Sequence, residues 1–92
     1  MTNENNTFNG WTNYATWRVN LEIFDGVDLQ EIGLEGLPLA GLGEAVRSFA
    51  HEIVLDGANG LAHDYALAFL SDVNWYEIAK HLKENEDEKD AA

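Results

Sequence analysis

No cysteine occurs in these 92 residues, which excludes disulfide staples and thiolate metal sites. Basic residues are scarce too: five Lys and Arg stand against seventeen Asp and Glu, a formal net charge of −12. A surface of that sign repels nucleic acid and anionic membranes and attracts basic proteins. No run of about 18 apolar residues is present, so no membrane span is expected. Residues 1–7 lack the basic and apolar regions of a signal peptide. With the absence of cysteine, these features give the expectation of a soluble cytoplasmic protein.

Apolar residues nevertheless make up 46% of the chain, too many for a disordered acidic polymer. The length suits one domain near the lower limit of what folds on a single core. Residues 1–83 are expected to form that domain, and residues 84–92 an acidic tail that frays or stays disordered.

The apolar spacing is helical throughout. Tyr14, Trp17, Leu21 and Phe24 recur at steps of three, four and three, predicting a helix over 13–25 with these four groups facing the core. Thr12 or Asn13 can cap its start, and Asp25-Gly26 can stop it. Gly26, Gly33, Gly36, Gly41, Gly43 and Pro38 argue against a continuous helix over 26–43. A short helical turn is expected from Asp28 to Ile32, capped by Asp28. Pro38 suits the first turn of a second helix, with Gly41 and Gly43 allowing a start nearer Gly43. Leu39, Leu42, Val46, Phe49 and Ile53 give that helix its apolar stripe as far as Leu55. A third helix is expected from Leu61 to Leu70, with Leu61, Tyr65, Ala68 and Phe69 inward. The fourth starts at Asn74, where Glu77 can return a hydrogen bond to the cap and Val73 can pack on Ile78. Trp75, Ile78, Ala79 and Leu82 then face the core. No period-two strand pattern is present. The expected fold is all-α: a small compact bundle of three to four helices with a glycine-rich connector and an acidic C-terminal tail.

Catalytic patterns are missing. His51, His63 and His81 show no His-x-x-x-His or His-Glu-x-x-His spacing, so no metal site is expected. Ser48 and Ser71 sit in no nucleophile elbow; Ser48 lies three residues before His51, but a helix surface provides neither an orienting acid nor an oxyanion site. The glycines form no dinucleotide fingerprint or phosphate loop, and no calcium-loop pattern occurs. The expectation is a protein that is not an enzyme and takes no cofactor.

The placement of acid is more informative. Glu22, Asp25, Asp28, Glu31, Glu35 and Glu44 lie between Val19 and Val46 with no basic residue among them. Asp25, Asp28, Glu31 and Glu35 step by three, three and four, which a locally helical path would align as one stripe. In the last helix Glu77 can pair with Lys80 or His81, and Lys80 with Glu84, leaving that face compensated. The last nine residues carry a net −4, which leaves −8 on residues 1–83, so the acidity is not a tail effect.

Tyr14, Thr16, Trp17, Val19 and Leu21, followed far downstream by Trp75, Ile78 and Ala79, match a Tyr-x-Thr-Trp-x-Val-x-Leu segment and a Trp-x-x-Ile-Ala segment. In these the chain resembles a family of small, mostly uncharacterised proteins carried by phages, plasmids and prokaryotic mobile regions. The two segments cover about a fifth of the chain. The resemblance implies a mobile-element protein acting inside a prokaryotic cell, and by analogy an inhibitor of host defence, anti-CRISPR or anti-restriction.

The functional expectation is therefore a non-enzymatic inhibitor that occupies the basic nucleic-acid-binding surface of a host defence protein or complex. Glu22, Asp25, Asp28, Glu31 and Glu35 would supply the negative edge, with Glu44 and Glu52 beside them. The alternative is an interaction or assembly module that binds a partner through Val27, Leu29, Ile32 and Leu34, or self-associates, its acidity serving solubility alone. Direct contact with nucleic acid is not expected from either.

Overall fold

The computed structural model describes residues 8–91, with side chains as far as Asp87. The polar run 1–7 and Ala92 lie outside the described residues. Among those described, the chain is all-α, with no β-strand. Four helices follow in order: α1 over Tyr14–Val19, prolonged by a π-helical turn over Asn20–Phe24; α2 over Leu39–Leu55; α3 over Gly60–Leu70; and α4 over Trp75–Ala91. None is long and apolar enough to cross a membrane.

Local chemistry sets the boundaries. Asn13 Oδ1 accepts from the Thr16 N–H at 2.9 Å, so of the two capping candidates Asn13 caps α1. Pro38 sits immediately before Leu39, and its carbonyl accepts from the Gly41 and Leu42 N–H groups. α2 thus starts at Leu39 despite Gly41 and Gly43. The first and second helices close alike, each on Asp-Gly. Asp25 and Asp56 adopt φ near −60° with ψ near 120°, Gly26 and Gly57 take φ of 77° and 78°, and the next N–H bonds back at 3.0 Å. That is a type II turn, which requires a residue tolerant of positive φ at its third position.

The molecule is a slab about two helices thick, 22 Å along its shortest axis, with the core between its helices. α2 contributes Leu42, Val46 and Ala50; α4 contributes Ile78, Ala79 and Leu82; α1 contributes Ala15, Val19 and Phe24. α2 and α4 form the main helix pair, and they approach closely where a Cβ on Gly43 would lie 3.7 Å from the Tyr76 Cα.

The buried face of α1 is not the predicted one. Tyr14 and Leu21 are exposed, Trp17 is half-buried, and Ala15, Thr16, Val19 and Asn20 face inward with Phe24. Small residues allow α1 to lie close to its neighbours. The large rings instead contact Phe8, edge-on for Tyr14 at a centroid distance of 5.2 Å and tilted for Trp17 at 4.8 Å. The π turn explains Phe24. Ala15, Val19 and Phe24 step by four and then five, and a five-residue step stays on one face only if the turn is widened beyond 3.6 residues. One cost of the arrangement is Asn20 Oδ1, buried with no hydrogen-bond partner among the described residues.

Two further expectations change. Of α3 only Leu70 is buried; Leu61, Tyr65, Ala68 and Phe69 are exposed rather than inward, as is Ile53 on α2. The segment from Glu84, expected to fray or stay disordered, is helical as far as Ala91. Its glutamates and lysine are good helix formers, and no glycine or proline interrupts it. Lys83 also donates to the Leu37 carbonyl at 3.0 Å, tying α4 to the segment before α2.

Candidate partner-binding surfaces

The acidic residues singled out by sequence do not form one stripe, because 25–38 is not one helical path. Gly26 reverses the chain after Asp25. Residues 29–34 make a single turn that ends in a Schellman closure: Leu34 N–H donates to Leu29 O, Gly33 N–H to Gln30 O, and Gly33 has φ of 77°. Glu31 Oε1 accepts from the Asp28 N–H at 3.0 Å, so Glu31 fixes the turn from behind. Leu29 is fully buried, while Ile32 and Leu34 pack on the core and Val27 is half-buried. Of the four apolar residues expected to dock a partner, Leu29, Ile32 and Leu34 therefore hold this segment to the body.

What the turn does bring together is Asp28 and Glu35, on one wall of a groove that faces Asn85 and Glu86 of α4. Val27 supplies apolar surface within it, with the buried Leu29 and Leu82 forming its floor. Glu86 was not chosen from the sequence; only the continuation of α4 past Lys83 brings it here. Asp25 is exposed at its turn. Glu52 lies elsewhere, beside His51, Ile53, Leu55 and Asp56.

Two of the seven carboxylates are compensated. Glu22 accepts from Arg18 Nε at 2.7 Å, and Glu44 from Arg47 at 3.2 Å. Arg18 also donates to the Tyr14 hydroxyl at 2.7 Å. The hydrogen bond to Glu22, then that to Tyr14, hold its guanidinium above the ordinary arginine range. Both pairs are half-exposed, where such contacts add little stability.

The expected compensation on α4 is absent at Glu77. Its Oε1 accepts from the Thr12 N–H at 2.9 Å, and it pairs with neither Lys80 nor His81 among the described residues. Nor does it return to the Asn74 N–H as a capping box would. That N–H donates to Thr16 Oγ1 at 2.9 Å, while Asn74 Oδ1 accepts from the Glu77 N–H at 3.1 Å. Asn74 Nδ2 donates to Thr12 Oγ1, Asn13 Nδ2 to the Asp72 carbonyl, and the Thr16 hydroxyl to Asn13 Oδ1. The caps of α1 and α4, some 60 residues apart in sequence, thus satisfy one another. Thr16 is completely buried at the centre of this clasp.

No family model, curated protein or solved structure matches the chain.

The clasp joins residues 12–16 to residues 72–77, and its hydrogen bonds hold the two helix starts together. The histidines stand apart from one another. His51 Nδ1 is bonded to the Arg47 carbonyl at 2.9 Å, His63 lies beside Asp64, and His81 meets the edge of Trp11. No group of three or more metal-ligating side chains gathers among the described residues.

The surface that sequence reasoning missed is α3. Leu61 and Tyr65 are 65% and 68% exposed, and Phe69 is 39% exposed with its ring edge toward Tyr14. The signal lay in the composition of the helix: it is apolar on nearly every side, and one neighbour cannot cover them all.

Proposed function

We propose that this protein is a non-enzymatic acidic inhibitor that occupies a basic nucleic-acid-binding surface on a host defence complex, of the anti-CRISPR or anti-restriction kind. The observation that carries the reading is the groove between the 27–35 turn and α4, where Asp28, Glu35 and Glu86 surround apolar surface. Such a groove suits a lysine or arginine of the partner: its aliphatic stem lies against Val27, and its charge meets the carboxylates. Two arginines that could quench the acid elsewhere are already engaged, Arg18 with Glu22 and Arg47 with Glu44. Asp25 and Glu31 flank the groove in sequence, so the negative edge centres on 25–35, with Glu22, Glu44 and Glu52 peripheral. The setting in a mobile element comes from the two resembling segments alone.

The test is capture of partners from a prokaryotic host lysate on the immobilised chain, with competition by duplex DNA. The expected catch is a nucleic-acid-binding complex that DNA displaces and that elutes as salt rises. The double substitution Glu35→Lys/Glu86→Lys, at two carboxylates of the groove, should weaken capture about tenfold or more while helicity stays unchanged. Capture that survives this reversal at low and high salt alike removes the acidic edge from the interface.

A further inference from the structure

We propose that α3 is a self-association surface on which two copies of this chain pack antiparallel about a two-fold axis between Tyr65 and Ala66. Ala62, Tyr65, Ala66 and Phe69 step by three, one and three, which places them in one stripe with Leu61 at its edge. The stripe carries no charge, although nearly one residue in five of the chain is acidic. Tyr65 and Leu61 are mostly in solvent, and Phe69 is continuous with the exposed Tyr14 ring, 6.4 Å away between centroids. The radius of gyration, 14.1 Å, exceeds the about 12 Å expected for a compact chain of this length, in keeping with a body that leaves helical surface uncovered.

Three arguments select a second copy as the occupant. First, a net charge of −12 makes any acidic face repel another copy, so self-association requires a neutral face, and this stripe is one. A basic partner, by contrast, would gain nothing electrostatic here. Second, the stripe complements itself in size. The two-fold lays Phe69 over the partner's Ala62 and Tyr65 over the partner's Ala66, ring into gap. Third, the exposed parts of Leu61, Tyr65, Phe69 and Tyr14 with the stripe alanines amount to at most about 500 Å² per copy, so a pair buries up to about 1,000 Å², at the lower bound for a specific interface. A weak, concentration-dependent dimer follows. Each copy carries a net charge of −12, so added salt, which screens their mutual repulsion, should tighten the dimer, opposite to its effect on a basic partner.

Sedimentation velocity of the whole chain from about 10 µM to about 1 mM, at low and high salt, tests this. A monomer–dimer shift that strengthens with salt is expected. Tyr65→Glu should raise the dissociation constant at least about tenfold, and Ile53→Glu, on exposed apolar surface of α2, should leave it unchanged. Because the chain has no cysteine, Ala66→Cys should form an interchain disulfide under mild oxidation and Gly41→Cys should not. A monomer at every concentration, a dimer indifferent to Tyr65→Glu, or equal crosslinking from both cysteine variants would overturn the proposal. None of these readouts depends on the acidic groove, so this surface and the inhibitor reading can fail separately.

Discussion

Where α1 meets α4, the side chains of Thr12, Asn13 and Thr16 reach across to Asp72 and Asn74, Glu77 accepts from the Thr12 N–H, and the buried Thr16 hydroxyl both donates and accepts. On α3 the order is reversed: apolar rings and a leucine stand in water, and the single buried residue is Leu70. Polar groups are inside and satisfied in the first region, apolar groups outside and uncovered in the second. Hydrophobicity alone would rank the two the other way. The difference lies in partners: a buried hydroxyl costs little when both its bonds are made, and an exposed ring is informative when it adjoins others.

The contrast can be broken most forcefully beneath the clasp. Ile78 is completely buried under it, and Ile78→Ala should destabilise the fold by about 2–5 kcal/mol in urea unfolding. A loss under about 1 kcal/mol would mean the α4 side of the junction is loosely packed. Next comes the polar centre. Thr16→Val keeps the shape but removes the acceptor for the Asn74 N–H and the donor to Asn13 Oδ1. The expected cost is about 1–3 kcal/mol, with Thr16→Ser recovering part of it. Equal stability of the valine variant would show that the clasp contributes alignment and not free energy.

Much of this was legible in sequence. Asn13, Pro38, Asn74 and the two Asp-Gly pairs carry local chemistry that acts within four residues, and the helix boundaries at those points follow from them. Which face each helix buries was less legible, because periodicity reports a stripe and not the neighbour that covers it. In α1 the close approach favoured Ala15 and Thr16 over Tyr14 and Trp17, and the widened turn moved Phe24 onto a face that 3.6-residue spacing does not assign with them. Glu77 had a local partner in the Asn74 N–H and a distant one in the Thr12 N–H, and no local rule sees the distant one. The acidic stripe failed for a similar reason: Gly26 and Gly33 turn the backbone between its members, so equal spacing did not become alignment. The groove that replaced it needed Glu86, which only tertiary packing brings to Asp28 and Glu35.

The smallest expected effect is the one that sharpens the comparison most. Tyr65→Ala removes a side chain that is mostly in solvent, so in dilute solution its stability should differ from the parent by less than about 0.5 kcal/mol. If α3 packed its ring onto the body, truncation would cost several times that, as at Ile78. The same variant measured at high protein concentration should fall below the parent, because a dimer that binds only the folded chain raises the parent's apparent stability by mass action. A gap that opens with concentration assigns the exposed ring to an intermolecular contact. A gap that is small and constant leaves Tyr65 as a solvated residue of the helix.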